Sequence, residues 1–252
     1  MLVMTGDRPL EYADVFPLIY CKIRLEGMRT YDHVKHLLVD EMQDYTPVQY
    51  AVLSRVFQCR KTILGDVSQT VNPYSASSAE TIEEVFPQGD IVKLFRSYRS
   101  TVEITRFAQR VKSSEGIIAM ERHGQEPSVK GFDSRATEMD DIRRQLAAFE
   151  NSGHRTLGII CKTQHHASTL FNEIKQQGYH LLRADSTAFH QGVVVTSAHV
   201  AKGLEFDSVI VPFVSAQEYH TEVDQSMLYI ACTRAMHSLT LTYSGTKSGL
   251  LP

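Results

Sequence analysis

Two adjacent carboxylates, Asp40 and Glu41, follow directly on the apolar run Leu37-Leu38-Val39. A strand that ends on paired carboxylates delivers them to its C-terminal edge, where open α/β sheets bind their ligands. One carboxylate in that place can hold Mg2+, and the next can orient or deprotonate a water. Two other readings fit the same residues: a solvated acidic loop, or a nuclease-type metal cluster of Asp40, Glu41 and Asp44. A second segment, Ile63-Leu64-Gly65-Asp66-Val67-Ser68-Gln69, has a related layout of strand, glycine turn and polar side chains. It suits the sensing of a phosphate or bound water, although a plain β-turn accounts for it too.

Several elements must position these groups. Short runs rich in β-branched residues recur at His36–Val39, Thr62–Leu64, Ile91–Leu94, Leu157–Cys161, Gly192–Thr196, Ser208–Val211 and Leu239–Tyr243. Such runs, apolar without alternation, suit strands buried on both faces of a parallel sheet. The stretches between them carry helix signals. Thr46-Pro47-Val48-Gln49 is a capping box with Pro at the first helical position, and Ser77-Ser78-Ala79-Glu80 and Ser100-Thr101-Val102-Glu103 repeat the pattern. Ile104, Phe107, Ala108 and Val111 then recur at helical spacing, as do Met139, Ile142, Leu146 and Phe149, and Leu170, Phe171 and Ile174, a helix that Gly178 should end. Another helix is expected over Leu10–Arg24, and the charged residues from Glu138 to Arg144 read as a solvated helix face. Alternating strands and helices predict an α/β fold with parallel sheets. The polar stretch Lys112–Pro127 suggests a junction between two domains.

The two polar segments resemble motifs II and III of the UvrD, Rep and PcrA superfamily 1 helicases. The resemblance continues in order: Leu94–Ser100 looks like motif IV, Val195–Asp207 like motif V and Leu228–Ala235 like motif VI. It implies RecA-like lobes of the P-loop NTPase type, with residues 1–110 as the C-terminal part of a first, incomplete lobe and 111–252 as the second. It implies ATP and Mg2+ as cofactors, with Asp40 holding Mg2+, Glu41 activating the attacking water and Gln69 sensing the γ-phosphate. By the same analogy Tyr98 stacks on adenine, Arg99 reaches the γ-phosphate, Glu205 lies near the nucleotide sugar, and Arg234 is the arginine finger. A planar guanidinium can donate to two phosphoryl oxygens at once, which suits these roles. Thr196, His199 and Lys202 of motif V would face the nucleic-acid backbone. Without the family, Arg99 and Arg234 read as ordinary surface or capping arginines, and His199 as a structural histidine.

No GxxxxGK[ST] loop occurs in the chain, and only residues 1–39 precede Asp40. In the family that loop lies upstream of motif II, where its amides and lysine cradle the phosphates. The chain is therefore expected to need an upstream N-terminal half of the same motor, and to be inactive as an ATPase alone. The family's aromatic cluster after motif III corresponds here to Thr70-Val71-Asn72-Pro73-Tyr74, and the chain has no Trp. Ser100 to Thr196 leaves no room for the large insertion of UvrD, Rep and PcrA. These departures, with the wording Asp40-Glu41-Met42-Gln43-Asp44-Tyr45 and the preceding Arg24-Leu25-Glu26-Gly27, most resemble HelD-type proteins, UvrD-like ATPases that bind bacterial RNA polymerase and help strip it from nucleic acid. The alternative is an ordinary UvrD-like DNA helicase of repair or replication.

Composition is ordinary for a globular chain of 252 residues, with 42% hydrophobic and 22% charged residues. A net charge of -3 shows no basic excess toward nucleic acid. Cys21, Cys59, Cys161 and Cys232 form no CxxC pair and read as reduced, buried thiols of a cytoplasmic protein. The longest apolar stretches, such as Val209–Val214, are far too short to span a membrane.

Overall fold

A computed structural model describes residues 11–28, 30–66, 69–70, 79–113, 116–188 and 191–252. The chain divides into two compact units, 1–92 and 93–252. In the first, α1 (Tyr12–Glu26) precedes β1 (His36–Val39), a 3-10 turn (Met42–Asp44), α2 (Pro47–Val56), β2 (Arg60–Ile63) and α3 (Ala79–Val85). β1 and β2 pair in parallel, His36 opposite Arg60 and Val39 opposite Ile63. The capping box at Thr46 forms as the sequence predicts. The Thr46 hydroxyl accepts from the Gln49 amide, and the Gln49 side chain accepts from the Thr46 amide. The box expected at Ser77 lies partly outside the described residues. A small core of Val39 and Tyr50 with Leu53, Ile63 and Phe86 holds α2 and α3 on the strand pair.

The second unit contains β3 (Arg96–Ser97), α4 (Val102–Val111), β4 (Ile118–Ala119), β5 (Ser128–Phe132), α5 (Arg135–Glu150), β6 (Thr156–Cys161), α6 (Gln164–Ile174), β7 (Tyr179–Leu181), β8 (Gly192–Ser197), β9 (Phe206–Val211), α7 (Glu222–Thr233) and β10 (Ala235–Ser244). Six of these strands form one sheet in the order β5-β10-β9-β6-β8-β7, every pair parallel. Alternate residues feed two cores. Leu157, Ile159, Val193, Val195 and Ile210 pack under α5 and α6. Ile160, Val194, Val209, Val211 and Leu241 pack under α4 and α7. Burial on both faces is what their continuous apolar runs require.

The sequence expectation differs from this structure in several places. The division falls at Val92/Lys93 rather than after residue 110, because Ile104, Phe107, Ala108 and Val111 of α4 belong to the second unit's core. Lys112–Pro127 is no linker: it contains β4, paired with β3. Ile91–Leu94 forms no strand, and Val92 and Leu94 are 77% and 85% exposed. The N-cap of α4 is Thr101, whose hydroxyl accepts from the Ile104 amide, while the Ser100 hydroxyl donates to the Ala235 carbonyl at 2.6 Å. Helix α6 stops at Ile174, and Gly178, at φ 87°, sits in the turn that follows. Glu138 is not on a solvated face: it is fully buried and accepts from the Phe213 amide at 2.9 Å and the Thr242 hydroxyl at 2.6 Å. It thereby ties α5 to the ends of β9 and β10. Cys161 and Cys232 are buried, and burial raises both thiols, Cys161 to about 12; Cys21 is exposed and Cys59 half-buried.

Candidate functional site

In the first unit the chain turns sharply after β1. Val39 accepts the Leu64 amide at 2.8 Å, and Leu64 accepts the Met42 amide at 2.8 Å, so the exits of β1 and β2 are laced together. Asp40 is exposed at the carboxyl end of β1, and its Oδ1 accepts the Glu41 amide at 2.8 Å. Glu41 takes left-handed backbone angles, φ 53° and ψ 49°. A Cβ-bearing residue there is strained by roughly 1–2 kcal/mol, and such strain concentrates at functional sites. Gln43 holds the turn. Its side chain is buried, its Nε2 donates to the Glu41 carboxylate, and its Oε1 accepts the Asp66 amide at 3.1 Å. Gln69 in turn donates from Nε2 to Asp66 Oδ2 at 2.9 Å. A continuous polar chain therefore runs Glu41–Gln43–Asp66–Gln69.

Gly65 makes this closeness workable. A Cβ there would lie 2.7 Å from the Met42 backbone nitrogen and would also strike the Gln43 side chain. Burial raises the Tyr50 phenol above its usual range, and its hydroxyl donates to the Met42 carbonyl at 3.0 Å. An exposed carboxylate at a strand edge suits a hard, hydrated cation such as Mg2+, which keeps several waters and takes one or two carboxylates. Among the described residues no group of three or more His, Cys, Asp or Glu could hold a metal, so Asp40, Glu41 and Asp44 do not make the nuclease cluster. Val67, Ser68 and residues 71–78, which include Tyr74, lie outside the described residues.

In the second unit Arg99 and Glu205 form an ion pair, both side chains part exposed. Motifs IV and V thus meet although they are 106 positions apart. Tyr98 presents an exposed ring beside them in sequence. Arg234 is fully buried at the C-terminus of α7, its Nε donating to the Ile230 carbonyl at 3.3 Å and its Nη2 to the Thr233 hydroxyl at 3.2 Å.

The motif V residues separate. Thr196 is buried and its hydroxyl donates to the Leu182 carbonyl at 3.2 Å. It thus fixes the loop after β7. His199 is exposed, and Lys202 half-buried, in the loop that leaves the carboxyl end of β8. His199 lines an open cleft with Leu182, Arg183, Ser186, Thr187 and Leu204.

A profile of the UvrD-like helicase C-terminal domain matches residues 192–242, the span from β8 into β10. A solved structure, the C-terminal domain of a possible DNA helicase from a Lactobacillus (strain WCFS1), is 33% identical, with a TM-score of 0.52 over 61% of this chain and 91% of that one. The chain belongs to the UvrD-like helicase family. Among curated members, the ATP-dependent DNA helicase UvrD2 of Mycobacterium tuberculosis is 36% identical over 94 residues, which is 35% of this chain and 13% of the relative. The putative ATP-dependent DNA helicase R568 of Acanthamoeba polyphaga mimivirus is 25% identical over 86% of this chain and 36% of its own length. The chain thus spans well under half of the curated UvrD-like relatives it matches. Among the described residues no helix is long and apolar enough to cross a membrane.

The sequence gives Gln43 and Arg122 no role and reads Glu138 only as part of a solvated helix face. Gln43 stood in the open inside motif II. The other two gave no signal, since each acts on residues distant in the chain.

Proposed function

We propose that this chain is the C-terminal part of an ATP-driven superfamily 1 motor that acts on nucleic acid. The observation that carries the reading is the polar chain Glu41–Gln43–Asp66–Gln69, which couples a water-activating carboxylate to a phosphate-sensing amide at the carboxyl edge of parallel strands. In this reading Asp40 holds Mg2+, which supplies charge neutralisation at the phosphates when ATP is bound. Glu41 orients and deprotonates the attacking water, and Gln69 responds to the γ-phosphate. By the family resemblance Arg99 and Arg234 serve the phosphoryl charge, Tyr98 the base and Glu205 the sugar. His199 and Lys202 meet the nucleic-acid backbone, and Thr196 supports them by shaping the neighbouring loop. The phosphate-cradling loop is supplied from a preceding segment of the same motor. The expected result is that the 252-residue chain alone shows no ATP turnover above background while the intact protein hydrolyses ATP. Robust Mg-ATP hydrolysis by this chain alone overturns the reading.

A narrower reading concerns the machine that the motor works on. Between α4 and β8 the described chain is used up by β4, β5, α5, β6, α6 and β7, with no inserted domain of its own. With no Trp and a net charge of -3, the chain offers few stacking platforms and little basic track for bare single strands. A motor anchored to a large partner needs less of both, because the partner keeps it near the nucleic acid. We infer a HelD-type role on bacterial RNA polymerase for the intact cytoplasmic protein. It should co-purify with the polymerase and bind it more tightly than it binds single-stranded DNA at physiological salt. Strand unwinding and sub-micromolar DNA binding without polymerase association would instead mark an ordinary DNA helicase.

A further inference from the structure

Motif IV is wrapped by part of the polar stretch that the sequence suggests as a domain junction. The Ile118 amide donates to the Phe95 carbonyl at 2.6 Å and the Met120 amide to Ser97 at 3.1 Å. The Val102 amide donates to the Arg122 carbonyl at 2.9 Å. Glu103 accepts the Gly124 amide at 2.9 Å and lies 2.8 Å from the His123 ring. Gly124 is pressed onto Thr101, whose Cγ2 would lie 2.7 Å from any Cβ placed there. The stretch 118–124 is thus a strap over residues 95–103, and Arg122 is its reach across to another strand.

The Arg122 guanidinium spans three groups. Nη1 donates to the Arg99 carbonyl at 3.2 Å, and Nη2 donates to the Met236 carbonyl at 3.4 Å. Nη2 also lies 2.7 Å from His237 Nδ1. Met236 and His237 come directly after Arg234 and Ala235, and Ala235 accepts the Ser100 hydroxyl. A planar, five-donor fork is suited to such multiple acceptors, and a lysine is not.

We propose that Arg122 is a positioning residue that locks Arg99 of motif IV to the start of β10 beside Arg234, so that the two arginines move as one body, with neutral His237 as its acceptor. The functional consequence rests on the reading that these arginines serve the nucleotide; the brace itself does not. Three groups face His237: Arg122 from the strap, Asp207 of β9 at 3.8 Å, and His154, whose ring stacks on it at 5.5 Å between centroids. A protonated His237 offers no lone pair and sets a positive charge against the guanidinium, which Asp207 offsets only in part. Burial, then the Arg122 charge, depresses the His237 pKa. The folded chain therefore binds fewer protons than the unfolded one. The stability this contact contributes is complete above the ordinary histidine value of about 6.5 and declines as pH falls from there through the depressed value, below which the folded chain itself loses the acceptor.

The test has two arms. In the 252-residue chain, Arg122→Ala should speed amide exchange across residues 97–102 by about tenfold while Val194 and Ile210 in the sheet stay protected. Unchanged exchange at 97–102 overturns the brace. In the intact protein, Arg122→Ala should lower kcat by roughly ten- to a hundredfold with a smaller change in KM, the size seen for supporting contacts to functional groups. Arg122→Lys should not restore it. As pH falls through the depressed His237 value the wild type should lose more activity than His237→Gln, whose amide oxygen accepts at every pH. Identical pH profiles overturn the role given to His237. Arg99→Ala separates the two ideas: an unaffected kcat there sinks the nucleotide reading, whereas the exchange arm still decides the brace.

Discussion

Glu41→Gln in the intact protein should abolish ATP turnover, by about 10²–10⁴-fold in kcat, while nucleotide affinity changes little. The substitution is nearly isosteric. The Gln amide oxygen can still accept from Gln43 Nε2, so the polar chain to Asp66 and Gln69 survives. What disappears is the carboxylate proposed to take the proton of the attacking water. The backbone makes the prediction sharper. Glu41 is held at φ 53°, where glycine or asparagine would be easier to accommodate. Glu41→Gly should accordingly be as stable as wild type or more so in thermal denaturation, and equally inactive. Turnover within tenfold of wild type in Glu41→Gln removes the carboxylate from the chemistry.

Arg234→Lys in the intact protein should lower kcat by at least about 10²-fold, since arginine fingers are worth ~10³–10⁵ and a lysine keeps the charge but not the fork. KM should move far less. Arg234 is buried and bonded to Ile230 and Thr233 at the end of its own helix, so it must be exchanged for another long cation rather than truncated. Thermal denaturation of the 252-residue chain then serves as the control: a melting temperature close to wild type shows that the lost rate is not lost structure. Wild-type kcat in Arg234→Lys would reduce this residue to a helix cap.

How much of this was legible in the sequence depends on where each residue sits in the sheet. The inner strands β6, β8, β9 and β10 announced themselves as apolar runs because both of their faces are covered. β5 and β7 did not, and they are the two edges of the sheet. An edge strand packs fewer neighbours, so Ser128-Val129-Lys130-Gly131-Phe132 and Tyr179-His180-Leu181 need not be continuous hydrophobes. Ile91–Leu94 misled for the opposite reason: an apolar run is necessary for a buried strand but not sufficient. The roles proposed for Asp40, Glu41 and Gln69 could be drawn from the sequence because strand, turn and polar groups are contiguous there. Gln43 acts on Asp66 from 23 positions away and Arg122 on His237 from 115, and no local pattern encodes such meetings. Motif position alone does not reveal which way a β-strand residue points; the Thr196 hydroxyl serves the Leu182 carbonyl.

The order β5-β10-β9-β6-β8-β7 also governs how the second unit comes into being. β10 is the last of the described strands to leave the ribosome, yet it lies between β5 and β9. Until it arrives, β5 has no neighbour in the sheet, and one side of β9 stands open as an apolar edge. Contacts between distant parts of a chain form slowly, since loop closure must precede any gain from pairing. Between the synthesis of β9 and that of β10 the nascent second unit is thus a partly formed sheet with an open flank, the condition in which chains associate wrongly with one another. Its maturation is completed by a single late insertion, and chaperone demand should fall sharply once residues 235–244 are free to enter.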